Sequence, residues 1–393
     1  MIKSFRFSRL PHIIFGRGKS GELPALISNY GSRVLLVTGR FVSGDAFPGS
    51  GLVQTMEGPG RAGVERFVVS GEPSDRLIDD AVSLYRNDPP GLVVSVGGGS
   101  VLDAGKAISA MLTVKGSVRD YLEGVGSLDH PGTKIPFIAV PTTSGTGSEA
   151  TKNAVISGKG TDRFKKSLRH DNFVPDTALV DPELTVSCPP EVTAASGMDC
   201  FTQLTEAYLS SGSNEYTDAL ALEGLKAVKS SLLRAYRNGK DRDARTGMAF
   251  AALTSGICLA NAGLGVVHGF ASAAGALYDI PHGLICGTLM AASNEMTVRR
   301  LRERSGNQSF LEKYAFLARL FLDDAREKSD DRLVDEFIEY LYELSAELNL
   351  PGLRQAGIGE EGLQEIALNT ESKNNPVKLA EGDLVAILQK RYF

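Results

Sequence analysis

Four short apolar runs lie within the first 141 residues, and glycine or proline follows each one. They are 33–38 (RVLLVT), 66–70 (RFVVS), 91–96 (GLVVSV) and 135–140 (IPFIAV). Near-continuous apolar strands of this length fit a parallel sheet covered on both faces. Residues 78–85 and 102–111 between them have helical spacing, which supplies the crossovers. Past Pro190 strand-like runs vanish and long helical stretches take over, at 198–210, 214–237, 243–262, 311–327 and 331–348. Pro189 and Pro190 break the chain at the join. A length of 393 residues is too great for one ordinary core. The expected fold is therefore an α/β domain with a parallel sheet over residues 1–187, followed by an all-α domain over 188–393.

A net charge of −5, with 23% charged residues, gives no footprint for nucleic acid and no basic face for a membrane surface. No apolar run approaches the ~18 residues of a membrane span. The start, Met1 to Phe5, lacks the apolar stretch of a signal peptide. Cys188, Cys200, Cys258 and Cys286 form no CxxC pair and read as reduced thiols of a cytoplasmic protein.

Two loops follow strands and carry chemistry. Gly97-Gly98-Gly99-Ser100 leads into a helix, where glycine lets the backbone approach a pyrophosphate and the helix start offers free N–H groups. It is not GxGxxG, and alone it reads more readily as a tight turn than as a phosphate site. Pro141 to Glu149 (PTTSGTGSE) is rich in hydroxyls and glycine, suited to phosphate, ribose or carboxamide groups. Two such loops at the carboxyl ends of strands in one sheet argue for a shared dinucleotide cleft. The run 33–38 should end beside the adenosine ribose, where an acidic residue selects NAD(H). Gly39-Arg40, with Ser43 nearby, stands there instead, so NADP(H) is expected in preference to NAD(H).

In the helical half Asp199 and Gln203 are four apart and share a helix face. His268 and His282, two of only five histidines, sit in apolar, glycine-flanked stretches. One carboxylate and two imidazoles form a workable ligand set for a divalent transition metal. Each histidine taken singly reads as a hydrogen-bonded core residue.

Together these segments resemble the iron-containing (group III) alcohol dehydrogenases. The residues that carry the resemblance are Gly97 to Ser100 with Asp103, Gly71 to Ser74, Pro141 to Glu149, Gly197-Met198-Asp199, His268 and Pro281-His282-Gly283. The resemblance implies a dehydroquinate synthase-like pair of domains with the active site between them, and commonly a homodimer. It implies that Asp199, His268 and His282 bind Fe2+ or Zn2+, that Thr142, Thr143 and Thr146 contact the cofactor, and that Lys165 or Lys166 joins them. Two departures stand out. Gln203 occupies the position of a usual metal histidine, as a neutral fourth ligand or none. Ser272 occupies that of a histidine suited to proton relay, and His170 is a candidate replacement.

The expected reaction is metal-assisted hydride transfer between the nicotinamide and a small aldehyde or primary alcohol. A cyclase or lyase of dehydroquinate synthase type is the first rival, and it needs a Lys/Arg set for phosphate and carboxylate that the residues beside His268 and His282 do not supply. A nucleotide-binding relative without catalysis is the second.

Overall fold

The computed structural model describes residues 2, 4–30, 33–43, 49, 63–158 and 163–393. The α/β half holds β1 (His12–Phe15), α1 (Leu23–Ser28), β2 (Val34–Gly39), β3 (Val64–Val69), α2 (Asp75–Tyr85), β4 (Leu92–Gly97), α3 (Gly99–Met111), β5 (Phe137–Pro141), β6 (Asn153–Gly158), β7 (Phe164–Arg169) and β8 (Thr177–Val180). Six strands form one parallel sheet in the order β1-β8-β5-β4-β2-β3. Its faces alternate with the pleat. Leu35, Val37 and Val93 pack with Ile78, Leu102 and Ile108 on one side. Leu36, Val94 and Val96 pack with Leu23 and Ile27 on the other. The four inner strands β8, β5, β4 and β2 are buried on both faces, while the edge strands β1 and β3 are partly exposed.

The four runs became β2 to β5. β1 and β8 were not foreseen, and neither was the hairpin of β6 and β7, which pair antiparallel outside the main sheet. From β2 the chain pairs outward to β3, then returns to the other side of β2 with β4. That reversal makes the crevice between the carboxyl ends of β2 and β4 the ligand position of such a sheet.

Helices alone make up the second half: α4 (Pro190–Leu209), α5 (Glu215–Arg237), α6 (Arg242–Ala262), α7 (Val266–Leu277), α8 (His282–Arg302), α9 (Gln308–Phe321), α10 (Asp330–Glu347), α11 (Glu360–Leu368) and α12 (Glu381–Lys390). Pro190 opens α4 at its first turn, where a missing N–H costs nothing. The helix expected over 311–327 ends at Phe321. The stretches around His268 and His282, apolar and glycine-flanked, are helices too. Among the described residues no single helix is long and apolar enough to cross a membrane.

The halves meet where the threonine loop lies on α6. Gly147 has φ 61, and a Cβ on Gly256 would stand 2.1 Å from Gly147 O. No side chain fits there. Gly256→Val should therefore overpack this contact and destabilise the fold by about 1–3 kcal/mol. A lowered thermal unfolding midpoint is the expected readout, and an unchanged midpoint would show that the contact yields freely.

Candidate metal centre and nucleotide cleft

On α4 the residues Asp199, Gln203 and Glu206 lie four and three apart, hence on one face. Asp199 is 1% exposed. Facing it are His268 from α7 and, from α8, His282 and Cys286. His268 Nε2 is 3.3 Å from Asp199 Oδ1, His282 Nε2 is 3.8 Å from the same oxygen, and Cys286 Sγ is 3.8 Å from His268 Nε2. The ligand atoms of all four residues lie within 4.8 Å of one another. For a tetrahedral ion with N/O bonds near 2.0 Å and a sulfur bond near 2.3 Å, ligand-to-ligand edges are about 3.3–3.6 Å. The separations of 3.3 and 3.8 Å are near that size, and the donor types suit a divalent transition metal.

Glu206 completes the arrangement. Its Oε2 lies 2.7 Å from His268 Nδ1, and its Oε1 accepts from Val267 N at 2.7 Å. A carboxylate on Nδ1 turns Nε2 toward the cluster and raises the ring's donor strength. Gln203 offers the cluster its nitrogen: Nε2 donates to Asp199 Oδ1 at 3.2 Å, while Oε1 accepts from Ser255 Oγ at 3.0 Å.

The electrostatics follow from burial. Desolvation would push the Asp199 carboxyl up, but bonds and charge from His268, His282 and Gln203 outweigh it and hold it below the usual range. Burial, helped by the charges of Lys165 and Lys373, presses His282 down to about 3 and so keeps it neutral, against Asp199. Burial pushes the Cys286 thiol up to about 11; a bound cation replaces such protons.

The cofactor candidates gather at the carboxyl edge of the sheet. Gly97 pairs with Pro141, and Thr142 N donates to Gly97 O at 2.9 Å, so the two loops are joined. A Cβ on Gly98 would stand 3.3 Å from the Thr143 side chain, and one on Gly99 would stand 2.6 Å from Thr146. Gly98, Gly99 and Ser100 are half-buried. Within 142–150 only Thr142, Thr143 and Thr146 are not buried. α3 begins with no side-chain cap, and the buried Ser144 Oγ has no partner among the described residues. These are open donors where a pyrophosphate fits. Gly39 ends β2, and Arg40 follows with its Nε donating to Ser70 Oγ at 2.6 Å. The side chain of Ser43 lies outside the described residues.

Three candidates have other engagements. Asp103 binds inward, accepting from the Ser148 hydroxyl and from Val155 N at 2.9 Å, with Lys106 Nζ 3.7 Å away. Lys165 pairs with Glu72 at 2.5 Å beside α7, while Lys166, on the opposite face of β7, is exposed. His170 caps a turn, its Nδ1 accepting from Asn172 N at 3.0 Å, and packs on Phe173. It is not a member of the cluster. Beside Ser272 stands a group that the sequence did not suggest, the ammonium of Lys373, 3.2 Å from Ser272 Oγ. Glu206 and Cys286 were also missed, although the α4 face and the four-residue step from His282 both pointed to them.

A parallel sheet with phosphate-suited loops and a largely buried Asp–His–His–Cys cluster fit a metal-dependent oxidoreductase with a nicotinamide cofactor. Comparison with known proteins agrees. Residues 11–182 match the model described as iron-containing alcohol dehydrogenase, and residues 193–392 match the C-terminal model of the Fe-containing alcohol dehydrogenase family. Alcohol dehydrogenase 4 of Saccharomyces cerevisiae is 31% identical over 97% of each chain. A crystal structure of a 1,3-propanediol oxidoreductase superposes with a TM-score of 0.86 at 30% identity, covering 99% of this chain and 100% of that one. The sulfoacetaldehyde reductase of Bifidobacterium kashiwanohense, solved with NAD+, superposes with a TM-score of 0.80 at 25% identity over 99% of both chains. The chain belongs to the iron-containing alcohol dehydrogenase family and is a metal-containing alcohol oxidoreductase. The cyclase or lyase alternative is not favoured.

Glu206→Gln should weaken metal binding by about 10–100-fold, the usual cost of losing an outer carboxylate on a ligating histidine. Competition with a chromogenic chelator measures it, and unaltered affinity would remove Glu206 from the account.

Proposed function

We propose that the chain interconverts a small aldehyde and its primary alcohol using NADP(H) in preference to NAD(H), with Fe2+ or Zn2+ held by Asp199, His268, His282 and Cys286. The convergence of these four donors within 4.8 Å carries the reading. When bound, the metal supplies a Lewis acid for the carbonyl oxygen, and the nicotinamide gives or takes the hydride.

The chain's own residues do the rest. Asp199 contributes the negative charge at the base of the cluster. Glu206 fixes the His268 ring, and Gln203 acts as a positioning residue that holds Asp199 through its amide nitrogen. Cys286 takes the fourth place, and a thiolate donor favours zinc over iron. Gly98 to Ser100, with Thr142, Thr143 and Thr146, hold the dinucleotide at the carboxyl edge of the sheet; Lys165, near the His282 ring, borders the nicotinamide end. The preference for NADP(H) rests on Gly39 standing where a carboxylate would repel a 2′-phosphate, with the Arg40 guanidinium beside it. Four free thiols suit a reducing cytoplasm.

Enzyme stripped by a chelator should lose aldehyde-dependent cofactor oxidation and regain it with Zn(II) or Fe(II), and NADPH should give a higher kcat/KM than NADH. Full activity without metal overturns the reading, and a lead for NADH overturns the cofactor assignment. Cys286→Ser should weaken metal binding more than Gln203→Ala does, and should abolish the sulfur-to-metal charge-transfer band of the Co(II)-substituted protein. The reverse order would return the fourth place to Gln203.

A further inference from the structure

The face of α7 that carries His268 continues through Ser272 and Gly275, four and three residues on. Two lysines from distant parts of the chain end on this face. Lys165 reaches it from β7, its Nζ 2.9 Å from where a Gly275 Cβ would stand. Lys373 reaches it from the segment between α11 and α12, its Nζ donating to His268 O at 3.0 Å and to Ser272 Oγ at 3.2 Å. Both ammonium charges bear on the His282 ring. The fold thus assembles beside the metal centre a pair of cations that neither stretch of sequence displays.

The two differ in how their charge is met. Lys165 is paired with Glu72 at 2.5 Å. Both acceptors of Lys373 are neutral, and no described carboxylate lies within 4.0 Å of its nitrogen; one of its three N–H donors is left over. The charges of Glu206 and Glu371 bear on Lys373 only from a distance.

Its backbone is also unusual. Lys373 has φ 47, left-handed for a residue with a side chain. Neighbours impose it. Asn374 N donates to Leu264 O at 2.9 Å, Ser211 N donates to Asn374 O at 3.0 Å, and Asn375 Nδ2 donates to Val377 O at 2.8 Å. A Cβ on Gly269 would stand 2.1 Å from Glu371 O, so the segment is pressed onto α7. A strained residue held from both sides, with an open cation at the end of its side chain, is a feature that marks functional positions.

We propose that the natural substrate is an aldehyde or alcohol bearing an oxyanion, a carboxylate, sulfonate or phosphonate, and that the remaining N–H of Lys373 holds that group while the reacting oxygen faces the metal centre; the Ser272 hydroxyl, which donates to His268 O at 2.7 Å, positions the ammonium. The inference rests on the dehydrogenase reading above. Lysine acts as a point charge without the bidentate geometry of arginine, so it accepts each of these oxyanions. The similar structure of a sulfoacetaldehyde reductase is of an enzyme whose named substrate carries such a group.

The test compares propanal, succinic semialdehyde, sulfoacetaldehyde and phosphonoacetaldehyde on metal-loaded enzyme with reduced cofactor. At least one anionic aldehyde should exceed propanal in kcat/KM by about tenfold or more, and the leading one identifies the anion. In Lys373→Ala that ratio should fall by about 10–100-fold, through KM, as expected for losing a hydrogen bond to a charged group. Lys373→Arg should restore part of it. Propanal matching or exceeding every anionic aldehyde overturns the inference and leaves the dehydrogenase reading standing. If no aldehyde is turned over, that reading falls, and calorimetric titration of the cofactor-bound protein with succinate, sulfoacetate and phosphonoacetate decides the anion site. Saturable binding abolished in Lys373→Ala supports it, and binding that is absent or unchanged in the variant overturns it.

Discussion

The buried carboxylate of Asp199 is the constraint around which the helical half is arranged. A carboxylate almost wholly removed from water is costly unless cations and hydrogen-bond donors meet it. Gln203 meets it along its own helix, His268 from α7 and His282 from α8. For those donors to converge, α8 has to lie close on α4. Gly283 permits this, since a Cβ there would stand 2.4 Å from Ala195 O and 3.2 Å from Asp199 Cβ. The helix crossing and the donor cluster are one feature seen at two scales. Glu206 extends it outward by fixing both the His268 ring and the first turn of α7.

The same economy joins the two halves. The threonine loop is held from within its own domain by Lys106, whose buried ammonium donates to Ser148 O, Ser148 Oγ, Thr151 Oγ1 and Asn153 O. Burial lowers this lysine to about 8. Asp103 stands beside it and anchors Ser148 and β6. From the other side the loop touches the helical domain at Ser196 and Gly256, with Ser255 between Gly145 and Gln203. A nucleotide bound on the loop would therefore sit next to α4, the helix that carries Asp199, as hydride transfer between two bound reactants requires.

How much of this was legible in the sequence depended on distance along the chain. The apolar runs and their glycine ends gave β2 to β5 and both loops, because a strand buried on both faces must be apolar throughout. β1 and β8 are four residues each and too short to stand out by composition. The Lys165 to Arg169 stretch is charged, so its pairing in a hairpin was invisible. Asp199, His268 and His282 were readable because their flanking residues match a known pattern. Glu206 and Cys286 belong to no local motif; they join the site only through the helix faces they share with Gln203 and His282. Lys373 lies 105 residues from His268, and no local pattern marks it. Only the packing of the last loop onto α7 brings it to the site.

The most direct measurement of the central claim is an anomalous difference map from a crystal of the metal-loaded protein. One peak per chain is expected, at about 2.0–2.3 Å from Asp199, His268 Nε2, His282 Nε2 and Cys286 Sγ. A peak bound elsewhere, or none at these residues in fully active protein, would contradict it.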